Sequence, residues 1–330
     1  MAIHKAFEAA LKAISYNKLS VKASYQLKRK LGELGKFDLL RPTLKVTDTE
    51  VVCAGRTIPV RVFYPNNETD DNDLILFFHG GGWVTGDIDS YNRICAVAAR
   101  NTGCKVASVD YRLAPEHPFP AGLMDCYEVA KHLFRNSRLI FGIDPDRITL
   151  MGDSAGGNLA AAVSLMARDK KEFYPKRQIL FYPSTYSDHT DASPYPSIRE
   201  NGTDFVLTSK NIQDYMDLYL RNPEDKTNPY FAMLLASDFS NQPDTLVITA
   251  EFDPLRDEGE DYAQHLKNAG NRVECYRMMD SIHGFLSLPA GTMPVKKSYE
   301  IINKFLDEVQ IDRKNTKKDT NEKAYGLDKA

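Results

Sequence analysis

The sequence predicts an α/β fold: a mostly parallel central sheet flanked by helices, with a helical cap above it. Three observations lead there. From residue 74 onward, short apolar runs alternate with longer stretches of helical spacing. The runs, such as Leu74–Phe78, lack the period-2 alternation of a half-exposed strand, so they suit strands covered on both faces. The alternation breaks between Pro183 and Gln242 and then resumes. Strand and helix in regular alternation require parallel pairing, with crossover helices on the two faces of the sheet.

The elements follow in order. Residues Lys5–Leu34 show helical spacing: Ala6, Leu11 and Ile14 share a face, Val21, Tyr25, Leu27 and Leu31 continue it, and Gly32 and Gly35 punctuate its end. Glu50–Cys53 and Ile58–Tyr64 read as strands, closed by a turn through Pro65-Asn66-Asn67 and the acidic run 70–73. The alternating region predicts strands at Leu74–Phe78, Val106–Val109, Ile148–Met151 and Gln178–Tyr182. Between them it predicts helices around Tyr91–Arg100, Ala121–Arg135 and Ser154–Arg168. Within the break, Ser209–Leu220 reads as a helix that Thr208 or Ser209 can cap. The pattern closes with a strand at Thr245–Thr249, a helix at Glu258–Asn268, a strand at Arg272–Arg277 and a helix at Val295–Val309. The expected organisation is a core of 48–182 and 243–312. A cap insertion spans 183–242, the helical segment 1–47 joins that cap, and a polar, mobile tail runs over 313–330.

Composition narrows the function. The chain has 330 residues and a formal net charge of -3, which argues against nucleic acid or an anionic membrane surface as a main partner. The five cysteines are odd in number and form no CxxC pair, as expected of free thiols in a reducing cytoplasm. Met1–Ser20 lacks the unbroken apolar run of a signal peptide, and no segment approaches the length of a membrane span.

The chemistry resides in three places. Gly152-Asp153-Ser154-Ala155-Gly156 fits G-x-S-x-G between an expected strand and an expected helix, the setting of a nucleophile elbow. A serine at so sharp a turn needs small neighbours two positions away, because strand and helix backbones nearly touch there. Its Oγ then stands at a helix N-terminus that favours negative charge. His79-Gly80-Gly81-Gly82-Trp83 follows directly on the Leu74–Phe78 strand, and its glycines let backbone N–H groups turn toward an oxyanion. A phosphate loop would need a Lys-Ser/Thr pair that does not follow, and His79 itself is expected to brace the loop. Last, Asp253 follows the Thr245–Thr249 strand and His283 follows the Arg272–Arg277 strand, in the order Ser, Asp, His. Glu251 and Asp257 are nearby alternatives for the acid. The first is expected in packing or a salt bridge, the second as a helix N-terminal carboxylate.

These pieces together resemble the bacterial hormone-sensitive-lipase family of esterases, a branch of the α/β-hydrolases. The resemblance rests on His79–Trp83, Asp110–Ala121, Gly152–Asn158, Asp253–Glu258 and His283-Gly284-Phe285, in family order from about Ile58 to Leu306. It implies the α/β-hydrolase fold, a triad of Ser154, Asp253 and His283, and oxyanion donors on Gly81, Gly82 and Ala155. It implies no metal or cofactor, a small-molecule ester as substrate, and a homodimer. Residues 186–241 carry no family motif, so the cap says little about the substrate.

The expected activity is a serine carboxylesterase for short to medium acyl chains, working through an acyl-enzyme on Ser154. An amidase or carbamate hydrolase would use the same triad but would need stronger protonation of the leaving amine. A non-catalytic receptor on the same scaffold would have lost a triad residue, and all are present. The charges of Asp110–Ala121, set among prolines, suggest an internal ion-pair network that braces a loop.

Overall fold

The structure is a computed structural model that describes residues 20–34, 44–53, 55–69 and 72–324, with backbone alone at 28, 31–34 and 309–324. The expected helical face at Ala6, Leu11 and Ile14, the punctuating Gly35, and residues 325–330 lie outside the described residues.

Helix α1 (Val21–Leu34) precedes a hairpin of β1 (Val46–Cys53) and β2 (Arg56–Phe63). The alternating core follows: β3 (Leu74–Phe78), α2 (Asn92–Thr102), β4 (Lys105–Val109), α3 (Ala121–Phe141), β5 (Ile148–Asp153), α4 (Ala155–Lys170) and β6 (Arg177–Phe181). Next come α5 (Pro196–Asn201) and α6 (Ser209–Tyr219), then β7 (Asp244–Phe252), α7 (Arg256–Asn268), β8 (Val273–Ile282) and α8 (Met293–Ala324). One eight-stranded sheet runs β1-β2-β4-β3-β5-β6-β7-β8. The hairpin strands pair antiparallel, β2 meets β4 antiparallel, and every later pair is parallel.

The continuous apolar runs became the fully buried strands β3, β4, β5 and β6. On one face lie Leu76, Phe78, Leu150 and Leu180 with α3, α4 and Tyr219 of α6; on the other lie Phe77, Met151, Ile179 and Ile248 with α2 and α8. Parallel strands of similar length end together. The carboxyl ends of β3, β5, β7 and β8 therefore deliver His79, Ser154, Asp253 and His283 to one rim, where open α/β sheets place their ligands.

Three expectations on local structure change. Leu27, expected on the apolar face of α1, is 53% exposed, while Val21 is buried against the rest of the chain. Strand β8 runs to Ile282 and so carries His283 directly at its end. Helix α8 continues to Ala324, through residues 313–324 that composition assigned to the tail. Polar Lys, Asp and Asn residues without Gly or Pro give a helix no reason to stop.

Candidate active site

The elbow is sterically determined. Ser154 has φ 55° and ψ -120°, a conformation L-residues rarely adopt, and its N–H donates to the Phe181 carbonyl at 2.9 Å. A Cβ on Gly152 would collide with the Gly156 carbonyl, and one on Gly156 would collide with the Phe78 carbonyl. Glycine at both positions lets β5 turn directly into α4 with β3 alongside.

The structure brings Ser154, His283 and Asp253 into one line. Ser154 Oγ is 2.8 Å from His283 Nε2, and His283 Nδ1 is 2.7 Å from Asp253 Oδ2. A carboxylate can only accept, so Nδ1–H donates to Asp253 and Nε2 is left to accept the Ser154 hydroxyl proton. Asp253 is fully buried, and its other oxygen accepts the Leu255 N–H at 2.9 Å. The His283 ring lies against Tyr182, with centroids 4.7 Å apart.

Gly81, Gly82 and Ala155 line one cavity of about 270 Å³ together with Ser154 and His283. Gly81 and Gly82 have φ of 114° and 61°, which glycine adopts without steric cost. His79 is buried, stacked on Tyr111 at 4.2 Å, with Nδ1 2.8 Å from the Gly80 carbonyl. Burial lowers its pKa to about 4, so it is a neutral brace for the loop, as expected.

Of the alternative acids, Glu251 accepts the Asp280 N–H at 2.7 Å. Asp257 sits in the first turn of α7. Burial works against its charge, but Arg256 and the Ser197 N–H, each at 2.7 Å, hold its carboxyl below the usual carboxylate range. Neither makes a hydrogen bond to His283 in the structure.

Sequence reasoning missed several residues. Asp153, the second position of the G-x-S-x-G motif, is 5% exposed and lines the cavity. It accepts the Gly80 N–H at 2.9 Å and the Tyr91 hydroxyl at 3.1 Å. Burial pushes its pKa up to about 6, and its hydrogen bonds only partly offset that. Its place at the carboxyl end of a buried strand was the available signal. The segment 183–242 supplies Val206, Ile212 and Tyr215 to the cavity wall. Nothing in their spacing indicated this. Glu258 is buried in α7, where it accepts the Thr185 N–H at 2.6 Å and faces His189 Nε2 at 2.6 Å, fastening the start of that segment.

The charges of Asp110–Ala121 pair differently from expectation. Arg112 reaches Asp125 on α3 at 2.9 Å, a carboxylate also met by Arg56, and Glu116 binds Arg29 of α1 at 2.9 Å. These two partners come from other elements. Arg29 also donates to the carbonyls of Val84 and Ala114 at 2.7 and 2.6 Å, joining α1 to the end of the glycine loop.

Comparison with known proteins agrees with this architecture. Residues 75–287 match the alpha/beta hydrolase fold family. The chain is 39% identical over 248 residues to the carboxylic ester hydrolase LipN of Mycobacterium tuberculosis, an alignment covering 74% of this chain and 65%, just under two thirds, of LipN. It is 36% identical over 272 residues to an arylesterase of Saccharolobus solfataricus, covering 82% of this chain and 87% of that one. Among solved structures, the hyperthermophilic esterase of Pyrobaculum calidifontis superposes with a TM-score of 0.84 at 33% identity, over 94% of this chain and 100% of the other. With the match spanning the sheet from β3 to beyond β8, the chain belongs to the alpha/beta hydrolase fold family.

Proposed function

We propose that the protein is a serine carboxylesterase for short to medium acyl esters, with Ser154, His283 and Asp253 as its triad and Gly81, Gly82 and Ala155 as oxyanion donors. The observation that carries this is the unbroken line from buried Asp253 through His283 to Ser154 Oγ, opening on a cavity walled by the glycine loop. His283 Nε2 takes the Ser154 proton as Oγ attacks the ester carbonyl. The backbone N–H groups receive the developing oxyanion. The imidazolium, steadied by Asp253, protonates the leaving alcohol, and water releases the acid by the reverse path.

The cavity, about 270 Å³, lies at or below the roughly 300–1,000 Å³ typical of drug-sized ligands, which supports short chains. In the same reading, 183–242 together with α1 forms the cap over a core of 48–182 and 243–312. Lys22 pairs with Asp217 of α6 at 2.8 Å, joining the two cap segments. The protein is cytoplasmic in this reading, supported by five free thiols and by the absence of any membrane-spanning helix among the described residues. A homodimer belongs to the same reading.

The test is turnover of p-nitrophenyl esters of graded chain length beside a p-nitroanilide. Activity should peak between roughly two and eight carbons, with the anilide at least about 100-fold slower, since an amine needs stronger protonation to leave. An organophosphonate should label the wild type and not Ser154→Ala. Labelling at another serine, or an optimum on long-chain emulsions, would refute the assignment.

A further inference from the structure

The glycine loop holds one residue in a backbone conformation it would not choose. Three successive residues have positive φ: Gly81 at 114°, Gly82 at 61° and Trp83 at 60°. The glycines adopt this freely; an L-residue with a bulky side chain does not, and such a conformation persists only where its surroundings impose it. The turn is closed on itself, because the N–H groups of Val84 and Thr85 both donate to the Gly81 carbonyl, at 3.2 and 2.9 Å. Relaxation at Trp83 would therefore be taken up inside Gly81–Gly82, the stretch that lines the cavity beside Ser154.

The conformation is held from two sides: the Trp83 carbonyl accepts the Ala114 N–H at 2.9 Å, and α6 packs on the side chain. The Trp83 indole is 3% exposed and lies flat on the Tyr219 ring, with centroids 4.7 Å apart and planes 3° from parallel. Its other contacts are looser: the indole N–H reaches Asn158 Oδ1 only at 3.3 Å, and Phe231 tilts against it at 5.5 Å. One turn earlier on the same helix, Tyr215 covers Gly82 so closely that a Cβ there would stand 2.4 Å from its ring carbons. Besides the Tyr219 ring, which also meets Phe119 and Phe231, α6 is seated by hydrogen bonds: the Tyr219 carbonyl accepts the Phe119 N–H at 2.7 Å and the Asp214 carboxylate accepts the Val21 N–H at 3.0 Å.

Given the esterase reading above, we propose that Tyr219 is a positioning residue for the oxyanion loop. By stacking on Trp83 it holds the loop's third residue at positive φ and keeps the Gly81 and Gly82 N–H groups aimed at the reacting carbonyl. A helix of the 183–242 segment thus acts on the chemical step as well as walling the cavity.

The experiment compares wild type, Tyr219→Leu and Tyr219→Phe with p-nitrophenyl butyrate and with an alkyl trifluoromethyl ketone, which adds Ser154 to form a bound oxyanion. Loss of one oxyanion donor costs about 100- to 1,000-fold in kcat, so misaiming donors that remain present should cost roughly 10- to 100-fold in Tyr219→Leu. KM should stay within about twofold, and ketone affinity should fall by the same factor as kcat/KM. Tyr219→Phe keeps the flat ring and should restore both. Should Tyr219→Leu fail to fold by circular dichroism, Tyr219→Met fills similar volume without a flat ring and takes the same test. A folded variant with wild-type kcat, a kcat loss without matching loss of ketone affinity, or a Tyr219→Phe as impaired as Tyr219→Leu would overturn the inference alone. A wild type that turns over no ester would overturn the esterase reading and this inference with it.

Discussion

Replacing Asp153 with Asn measures what it costs to keep a carboxylate beneath the glycine loop. Asp153 accepts hydrogen bonds from Gly80 and Tyr91, at 2.9 and 3.1 Å, yet burial raises its pKa from 3.8 to about 6. A raised folded-state pKa means the folded protein favours the protonated acid. The carboxyl's contribution to stability is complete below about pH 4 and is lost as pH rises through 6. At 1.36 kcal/mol for each pH unit, the gap between 3.8 and about 6 amounts to about 3 kcal/mol by pH 8. Asparagine keeps an acceptor for the Gly80 N–H, can turn its amide toward the Tyr91 oxygen, and never ionises. Asp153→Asn should therefore be about 3 kcal/mol more stable than wild type at pH 8, and only about 1 kcal/mol more stable at pH 4.5. For a chain of this size the gap at pH 8 corresponds to about 5 °C in Tm. Urea unfolding of both proteins at pH 4.5, 6 and 8 reads the difference directly. A gap that does not change with pH, or a variant less stable than wild type at pH 8, would show that Asp153 is not held against its charge by burial.

Three further outcomes follow from the structure. Asp253→Asn should lower kcat by about three to four orders of magnitude with its circular dichroism unchanged, because the histidine then takes the wrong tautomer. Glu251→Gln and Asp257→Asn, whose carboxylates are engaged by Asp280, Ser197 and Arg256, should stay within roughly tenfold of wild-type kcat. The large loss appearing in Asp257→Asn instead would reassign the acid. Thr208→Ala removes the 3.1 Å bond from the Asn211 N–H at the start of α6 and should cost about 1 kcal/mol in urea unfolding; no loss would mean that water replaces the cap.

Local sequence determined the skeleton. Leu74–Phe78 is too short for a helix and apolar on both faces, so it had to become a strand inside the sheet. Gly152 and Gly156 bracket Ser154 because no Cβ fits where β5, α4 and β3 meet; the clash of Gly152 with Gly156 lies within five residues, whereas that of Gly156 with Phe78 comes from β3. Thr208 as the cap of α6 is likewise a contact across three residues. Such features are legible because the forces that set them act between neighbours in the chain. Chain order with the strand-end positions and the family motifs pointed to Asp253 and His283, although only the parallel sheet, by ending β5, β7 and β8 on one rim, brings the three together, with 2.7 Å from Asp253 to His283 and 2.8 Å from His283 to Ser154.

The tertiary structure decided what covers the site. Tyr215 and Tyr219 meet Gly82 and Trp83 across more than 130 residues, Arg29 reaches Val84 and Ala114 from α1, and Asp153 turns under Gly80. None of these contacts leaves a period or spacing in the sequence. The tyrosine contacts form because a segment of irregular pattern, 183–242, buries its apolar side chains on what the sheet's rim presents, and the Arg29 and Asp153 hydrogen bonds form where the packed fold brings those polar groups together. Burial is non-directional, so apolar residues in the sequence show that a surface will be covered without showing which partner covers it.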